Sequence, residues 1–288
     1  FSDFLQRKVD GDFSGLRVVA DCANGAASFI APKLLRSLGA DVTALSCKPD
    51  GININDNCGS THLEQLQKAV VEHQADVGIA YDGDADRLLA VDQNGRIVDG
   101  DRLLLIFGSY LAKQGLLAKD TVVITVMSNM GLKIALKEKG IKTLETKVGD
   151  RYVIEGMKES GAVLGGEQSG HIVFGLDNTT GDGILSSLKL LQILKQSRKT
   201  MAALADEMEQ YPQILINVRV KDKHGWEEKA EIRQAIDAAQ KELGDAGRIL
   251  VRASGTENLL RVMVEGKQQE QIERLANQIA DVVKVVMS

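Results

Sequence analysis

The first 211 residues alternate short β-branched runs with helical segments, and this alternation restricts the chain to an α/β fold. Leu16 to Ala20 is predicted to be a strand, a helix follows from about Ala27 to Leu38, and Asp41 to Leu45 is the next strand. Such a strand–helix–strand unit pairs its strands in parallel through a right-handed crossover. Val77 to Tyr81 is a third strand, and Asn94-Gly95 predicts a hairpin turn.

The segment after Gly100 repeats this order in outline. Predicted strands at Thr121 to Val126 and Ile141 to Thr146 flank a helix. Two similar segments, Asp99-Gly100-Asp101 and Gly181-Asp182-Gly183, each precede a predicted helix. The composition shifts after residue 211, where the predicted order is β-α-β-β-α. We therefore expect two tandem mixed α/β domains of similar topology (1–99 and 100–211) and a small α+β domain (212–288) with an antiparallel sheet and two helices.

Composition limits the kind of partner. The net charge is −5 and aromatic residues make up 4% of the chain, whereas a nucleic-acid binder needs a basic face and stacking rings. No apolar run approaches the roughly 18 residues of a membrane-spanning helix. The cysteines have no paired spacing, which is typical of a reducing compartment. We expect a cytoplasmic protein that binds a small molecule, and neither nucleic acid nor a membrane.

An acidic loop follows the predicted strand Val77 to Tyr81. Three carboxylates alternate with small residues there, and Arg87 closes the set. Carboxylates packed so closely repel one another unless a cation lies among them, and their oxygens suit a hard divalent ion, with Mg²⁺ the expected one. A solvated acidic turn is the alternative. The candidate metal ligands are Asp82, Asp84 and Asp86.

Two other families place aspartates in a similar way. An EF-hand is excluded because Arg87 and Gln93 stand where that calcium loop needs glycine and glutamate. An aspartyl-nucleophile phosphatase remains a rival, although Ala85-Asp86-Arg87 lacks the small hydroxyl residues that its motif requires.

A second polar loop runs from Gly165 to His171. Glu167, Gln168 and Ser169 offer a carboxylate, an amide and a hydroxyl, a set that suits a hydroxyl-rich ligand such as a sugar. A polar turn with a solvated Glu167 is the alternative. The Gly-x-Ser-x-Gly elbow of hydrolases is absent. His171 is either structural or has an acid/base or phosphate-contact role.

A third loop, Arg252 to Glu257, combines an arginine with hydroxyl and glycine residues. Arginine forks bind phosphate in bidentate fashion, and Arg261 on the outgoing strand is placed to reach the same site. A capped hairpin turn is the alternative. Neither a P-loop nor a dinucleotide-binding glycine motif occurs. Lys147, which follows a predicted strand, is either a surface lysine or functional.

Together these loops resemble the α-D-phosphohexomutase superfamily. The matching pieces, in order, are Asp82–Arg87 (metal loop), Gly166–His171 (sugar loop) and Arg252–Glu257 with Arg261 (phosphate loop). Thr146–Tyr152 is similar to a segment of the third family domain. The sugar loop is most similar to that of the amino-sugar branch, since the phosphomannomutase and phosphoglucomutase branches differ mainly at its second residue.

The resemblance implies an isomerase that interconverts glucosamine 6-phosphate and glucosamine 1-phosphate through a phosphoserine enzyme and a 1,6-bisphosphate, on the route to UDP-N-acetylglucosamine. It implies Mg²⁺ on the three aspartates, catalytic roles for Arg87, Lys147 and His171, and a proton carried by Lys147 or His171. It implies that Glu167 and Ser169 bind sugar hydroxyls. The implied phosphate contacts are Arg252, Ser254, Gly255, Thr256 and Arg261.

The superfamily has four domains, and the phosphoserine lies in the first. This chain begins at Phe1 and contains no glycine-rich loop with such a serine. We therefore expect a fragment that starts at the second domain, holds an incomplete metal site and has no mutase activity alone. The missing domain is its expected partner, and the full-length enzyme is a candidate homodimer. The alternatives are a phosphomannomutase/phosphoglucomutase or a non-catalytic sugar-phosphate-binding fragment.

Overall fold

The computed structural model describes residues 1–255 and 257–288, and it divides into two compact units, Phe1–Glu209 and Gln210–Ser288. The first unit contains two sheets, and the second contains one.

The first sheet of unit 1 has the strand order β2-β1-β3-β4-β5. Strand β1 is parallel to both β2 and β3, while β4 and β5 are antiparallel additions, so the predicted parallel pairing and the predicted hairpin are confirmed. The strands are β1 (Arg17–Asp21), β2 (Asp41–Leu45), β3 (Val77–Tyr81), β4 (Leu88–Asp92) and β5 (Ile97–Val98).

Three helices accompany this sheet: α1 (Ser2–Gln6), α2 (Ala31–Ser37) and α3 (Glu64–Glu72). The predicted helix from about residue 27 to 38 is interrupted, since a 3₁₀ turn at Ala26–Phe29 precedes α2. Pro32 lies in the first turn of α2, where its missing N–H and fixed φ are tolerated.

The second sheet repeats the topology of the first, with the order β7-β6-β8-β9. Again the first three strands are parallel and the fourth is antiparallel. Gly165 and Gly166 belong to β8 rather than to the loop, and Gly165 has no room for a side chain because Met157 of the covering helix lies against it. The strands are β6 (Thr121–Thr125), β7 (Lys142–Thr146), β8 (Leu164–Gly166) and β9 (Ile172–Phe174).

Two long buried helices connect the parts of unit 1. Helix α4 (Gly100–Lys113) and helix α7 (Gly183–Ser197) share one hydrophobic core with residues of both sheets. Within the described ranges, no helix has the length and apolar character needed to cross a membrane. The remaining helices of this unit are α5 (Met130–Glu138), α6 (Asp150–Ser160) and α8 (Met201–Ala205).

Unit 2 is the predicted small α+β domain and has its own hydrophobic core. Its antiparallel sheet has the order β10-β12-β11. The sequence after Gly225 predicts one amphipathic helix from Trp226 to Leu243, but a 3₁₀ turn at Trp226–Glu228 and Lys229, which has an extended backbone, precede the α-helix. Arg252 and Ala253 lie in a strand, not in the loop. The elements are β10 (Gln213–Arg219), α9 (Ala230–Leu243), β11 (Gly247–Ala253), β12 (Leu259–Gly266) and α10 (Gln269–Val286).

Candidate functional site

Two loops of unit 1 occupy equivalent places in the two sheets. The acidic loop (residues 82–87) connects β3 to β4, and the polar loop (residues 167–171) connects β8 to β9. Each therefore follows the third parallel strand of its sheet. The carboxyl ends of parallel strands are where ligands bind in α/β sheets.

The acidic loop brings its three carboxylates together. One oxygen from each of Asp82, Asp84 and Asp86 lies within 4.8 Å of the other two. Ala85 has the left-handed φ of 62°, and its N–H donates to the Asp82 carbonyl at 3.2 Å. The Arg87 N–H donates to Asp82 Oδ1 at 3.1 Å. These two backbone contacts fold the loop around Asp82, so that alternate side chains face one point.

The charges in this loop are incompletely compensated. Burial, and then the neighbouring Asp86, raise the pKa of Asp82. The Arg87 Nε atom lies 3.6 Å from Asp82 Oδ2 and 3.9 Å from Asp86 Oδ1. Asp86 Oδ1 and Arg87 Nε are buried, and neither has a hydrogen-bond partner among the described residues. Three converging carboxylates with an unpaired buried oxygen fit a hard divalent cation such as Mg²⁺.

The polar loop is held by the segment that contains Lys147. Glu167 Oε1 accepts a hydrogen bond of 2.8 Å from the N–H of Gly149, a residue whose φ of 130° suits glycine. Ser169 is exposed, and its hydroxyl lies 3.5 Å from Glu167 Oε2. Lys147 is exposed, and its Nζ lies 5.9 Å from the centroid of the Tyr152 ring. Glu167 and Ser169 therefore lie together, and Glu167 is bonded to the segment that carries Lys147.

The acidic and polar loops meet at an isolated antiparallel bridge between Arg87 and His171. The Leu88 N–H donates to the Gly170 carbonyl at 3.0 Å. Gly170 has φ 91°, and a side chain there would overlap with the Leu88 carbonyl oxygen. Only glycine satisfies both requirements, so this position is fixed by the contact between the loops.

His171 uses both ring nitrogens in this junction. The residue is 3% exposed, its Nδ1 lies 3.0 Å from Asp86 Oδ2, and its Nε2 lies 3.2 Å from the Gly181 N–H. Because Nε2 accepts from a backbone N–H, the ring proton of this arrangement is on Nδ1 and is donated to Asp86. The histidine thus links the acidic loop to the chain that enters α7.

The amino-terminal ends of α4 and α7 cross over between the two sheets. The Gly100 N–H donates to the Gln168 carbonyl at 3.0 Å, and the Gly183 N–H donates to the Ala85 carbonyl at 2.9 Å. Each helix therefore follows one sheet and supports the loop of the other. Sequence reasoning assigned no function to these positions, although the matching Asp-Gly-Asp and Gly-Asp-Gly segments were the signal for them.

Unit 2 contains the candidate phosphate-binding loop. Arg252 and Arg261 are directly opposite each other on β11 and β12, an arrangement that like charges normally disfavour. Burial, and then the Arg261 charge, lower the pKa of Arg252. The Nε atoms of both arginines are buried and have no hydrogen-bond partner in the described part of the chain. Two adjacent guanidiniums with unused donors fit an anion such as phosphate.

The loop after Arg252 contains the other predicted phosphate ligands. Ser254 is buried and Gly255 is exposed, while Thr256 lies outside the described residues. The Lys223 ammonium donates to the carbonyls of Ser254 (2.7 Å), Gly255 (3.2 Å) and Glu257 (3.3 Å). Sequence reasoning missed Lys223 because it follows β10 and is distant from the loop along the chain.

Three family models match almost the whole chain. The models of phosphoglucomutase/phosphomannomutase domain II, domain III and the C-terminal domain match residues 2–95, 99–211 and 215–282. The chain belongs to the phosphoglucomutase/phosphomannomutase family. Its similarity to members of this family extends over all three matched segments.

Among curated members of the family, similarity is high to phosphoglucosamine mutases. The chain is 56% identical to that of Heliobacterium modesticaldum, over 99% of this chain and 62% of the relative. It is 53% identical to that of Carboxydothermus hydrogenoformans, over 99% of this chain and 64% of the relative. The chain thus spans less than two thirds of the length of these relatives.

Solved structures of the phosphoglucomutase/phosphomannomutase family share the fold. One is Aspergillus fumigatus N-acetylphosphoglucosamine mutase in complex with GlcNAc-6P and magnesium (TM-score 0.81, 21% identity, 98% of this chain and 68% of that chain). Another is a family protein from Burkholderia thailandensis (TM-score 0.79, 24% identity, 99% of this chain and 64% of that chain). At these identities the likeness shows the fold alone.

Proposed function

We propose that this chain supplies the metal-, sugar- and phosphate-binding segments (1–99, 100–211 and 212–288) of a phosphoglucosamine mutase. The reaction is the interconversion of glucosamine 6-phosphate and glucosamine 1-phosphate through a phosphoserine enzyme and a 1,6-bisphosphate. The main support is the junction of the acidic and polar loops, which joins a cluster of three carboxylates to a carboxylate–hydroxyl pair. Identities above 50% to phosphoglucosamine mutases support the choice of an amino sugar.

Asp82, Asp84 and Asp86 would hold Mg²⁺ in this function. When bound, the ion neutralises negative charge on the phosphoryl group that is transferred. The Arg87 guanidinium, within 4 Å of two of these carboxylates, holds a positive charge at the same place. Its Nε makes ion pairs but no hydrogen bond among the described residues, so its N–H is a donor for a phosphoryl oxygen.

We assign different roles to His171 and Lys147, the two candidate proton carriers. Burial of His171 and the hydrogen bonds at both of its nitrogens support a positioning role, in which it orients Asp86. Lys147 is exposed and lies on the segment that binds Glu167, so its ammonium is accessible to a sugar phosphate. Lys147 is therefore the proposed proton carrier.

Glu167 and Ser169 are proposed to bind the ring hydroxyls of the sugar. The Gly149 N–H binds Glu167 Oε1. Glu167 Oε2 and the exposed Ser169 hydroxyl are then left to bind ligand hydroxyls. In unit 2 the Nε atoms of Arg252 and Arg261, which have no hydrogen-bond partner among the described residues, support binding of the phosphate that is not reacting. The proposed phosphate ligands are Arg252, Ser254, Gly255, Thr256 and Arg261.

Coupled assays of the full-length gene product on glucosamine 6-phosphate, mannose 1-phosphate and glucose 1-phosphate test this proposal. We expect the highest kcat/KM for the amino sugar. A preference for either hexose phosphate would contradict the assignment and favour a phosphomannomutase/phosphoglucomutase. Binding of glucosamine 6-phosphate without turnover of any substrate would instead favour a non-catalytic sugar-phosphate-binding protein.

A further inference from the structure

Lys223 is half-buried in unit 2, and its ammonium lies among backbone carbonyl groups. Its ammonium is within hydrogen-bond distance of three carbonyl oxygens, those of Ser254, Gly255 and Glu257. A lysine ammonium has three N–H donors, so this set uses all of them. Lys223 is therefore committed to the loop backbone and has no donor left for a ligand.

These contacts determine which side of the loop presents its N–H groups. In a trans peptide the carbonyl and the following N–H point in opposite directions, and the structure contains no cis peptide among its described residues. Because the Ser254 and Glu257 carbonyls point towards the Lys223 ammonium, the N–H groups of Gly255 and Asn258 point away from it. Backbone N–H groups that share one side of a tight loop form an anion-binding concavity.

The same loop is closed at both of its ends. The Ser254 N–H donates to the Leu259 carbonyl at 2.9 Å, and the Val220 N–H donates to the Asn258 carbonyl at 3.1 Å. Ser254 Oγ lies 3.4 Å from the Glu257 N–H. The loop is therefore anchored to the sheet at its ends, and Lys223 is the side chain that organises the carbonyls between them.

We propose that Lys223 is a positioning residue for phosphate binding by the Arg252–Glu257 loop. It holds the loop carbonyls away from the anion and turns the N–H groups of Gly255 and Asn258 towards it. The ligand class is a phosphate monoester dianion, for which inorganic phosphate is the probe. This inference rests on the phosphate-binding role proposed above for the same loop.

The experiment is an ¹⁵N NMR titration of the full chain with inorganic phosphate, comparing Lys223→Met with Lys221→Met. Lys221 is exposed and lies two residues away, so its variant removes the same charge without touching the loop carbonyls. We expect Lys223→Met to weaken phosphate binding about tenfold, and Lys221→Met to change it about twofold or less, as expected for a screened surface charge.

A third variant, Lys223→Arg, separates the effect of N–H direction at this position from the effect of its charge and from loss of folding. Lys223→Arg keeps the charge, but its planar fork cannot direct three N–H groups to one point. We expect it to lose the phosphate-induced shifts of the Gly255 and Asn258 amides, while the other amide resonances of unit 2 stay folded. Equal phosphate affinity in the Lys223 and Lys221 variants would overturn the positioning role of Lys223 but not the phosphate-binding role of the loop. Failure of the wild-type chain to shift any loop amide would overturn the phosphate-binding role together with it.

Discussion

His171 shows how one side chain can serve two loops. Its Nδ1 faces a carboxylate of the acidic loop, and its Nε2 faces the backbone at the entrance to α7. Partners that orient a metal ligand contribute to metal affinity even though they do not touch the metal. Removing this imidazole should therefore weaken metal binding more than it weakens binding of the sugar.

Replacing His171 by alanine should therefore weaken Mg²⁺ binding by about tenfold, in line with other changes to the partners of metal ligands. His171→Asn should retain most of the affinity, because its side-chain N–H₂ can still donate to Asp86. Isothermal titration of the chain with MgCl₂ measures both variants. Equal affinities in the alanine variant and the wild type would contradict the positioning role.

Asp84 allows a cleaner test of the metal site because it is exposed. Asp84→Asn should lower Mg²⁺ affinity strongly and, in the full-length gene product, reduce turnover by about two orders of magnitude or more, since it removes a charge that holds the ion. The control is Asp41→Asn, an exposed position at the amino end of β2, the opposite edge of the sheet. Near-normal turnover of the Asp84 variant at saturating Mg²⁺ would refute its role.

Asp182 should give the metal-free chain a measurable pH dependence. Burial raises the pKa of this carboxyl, although its oxygen accepts the Leu185 N–H at the start of α7. A raised pKa means that the folded state binds the proton more tightly, so the free energy of unfolding falls as pH rises from about 3.9 through the raised pKa. Asp182→Asn keeps the acceptor oxygen and should flatten this dependence.

Urea unfolding of both proteins between pH 4 and pH 7, with EDTA present, checks the slope. We expect the Asn variant to gain stability relative to the wild type as pH rises. Parallel curves for the two proteins would show that Asp182 does not titrate differently in the folded and unfolded states.

At the element scale, α4 and α7 each support a loop that belongs to the other sheet. A side chain at Gly183 would overlap with the Arg87 carbonyl of the acidic loop, and one at Gly100 would overlap with the Glu167 carbonyl of the polar loop. Backbone cannot yield as a flexible side chain can, so each substitution must displace its loop.

Gly183→Ala should accordingly weaken Mg²⁺ binding, and Gly100→Ala should weaken binding of glucosamine 6-phosphate, with about 1–3 kcal/mol of lost stability in each. Gly115→Ala is the control for ligand binding, because nothing lies within 4 Å of the added methyl group; its left-handed φ of 69° costs stability without a contact to either loop. Calorimetric titration of each variant with both ligands gives the result. If both variants lost the same affinity for Mg²⁺ and for glucosamine 6-phosphate, the separate support of one loop by each helix would be contradicted.

The elements were largely predictable from the sequence, and the contacts between them were not. The bounds of β2 and β3 agree with the prediction, because both are apolar runs between clear turns. The breaks at Ile30 and Lys229 were missed, since periodicity continues across them. The carbonyl contacts of Lys223 and the double hydrogen bonding of His171 depend on strand order, which brings together residues that are far apart along the chain.

At the scale of the whole molecule, each unit has a separate hydrophobic core. Separate cores predict separate unfolding transitions. The single tryptophan, Trp226, lies in unit 2 and reports on that unit alone, whereas far-ultraviolet circular dichroism reports on both.

We expect Mg²⁺ to raise only the midpoint of the unit 1 transition, and inorganic phosphate to raise the midpoint seen by Trp226 fluorescence, since a ligand stabilises the unit that binds it. Thermal scans with both probes measure these midpoints. A single coincident transition that both ligands raise equally would contradict independent folding of the units.

The bridge between Arg87 and His171 joins equivalent positions of the two sheets of unit 1. Each of these residues immediately precedes the fourth strand of its own sheet, and they pair with each other in antiparallel fashion. Equivalent positions that contact one another are typical of a two-fold symmetric dimer. The two halves of unit 1 therefore meet as two subunits related by a two-fold axis would, within one polypeptide. Because the two halves are encoded separately, mutation can change one loop without changing the other, so one loop can carry three carboxylates while the other carries a single carboxylate beside a hydroxyl.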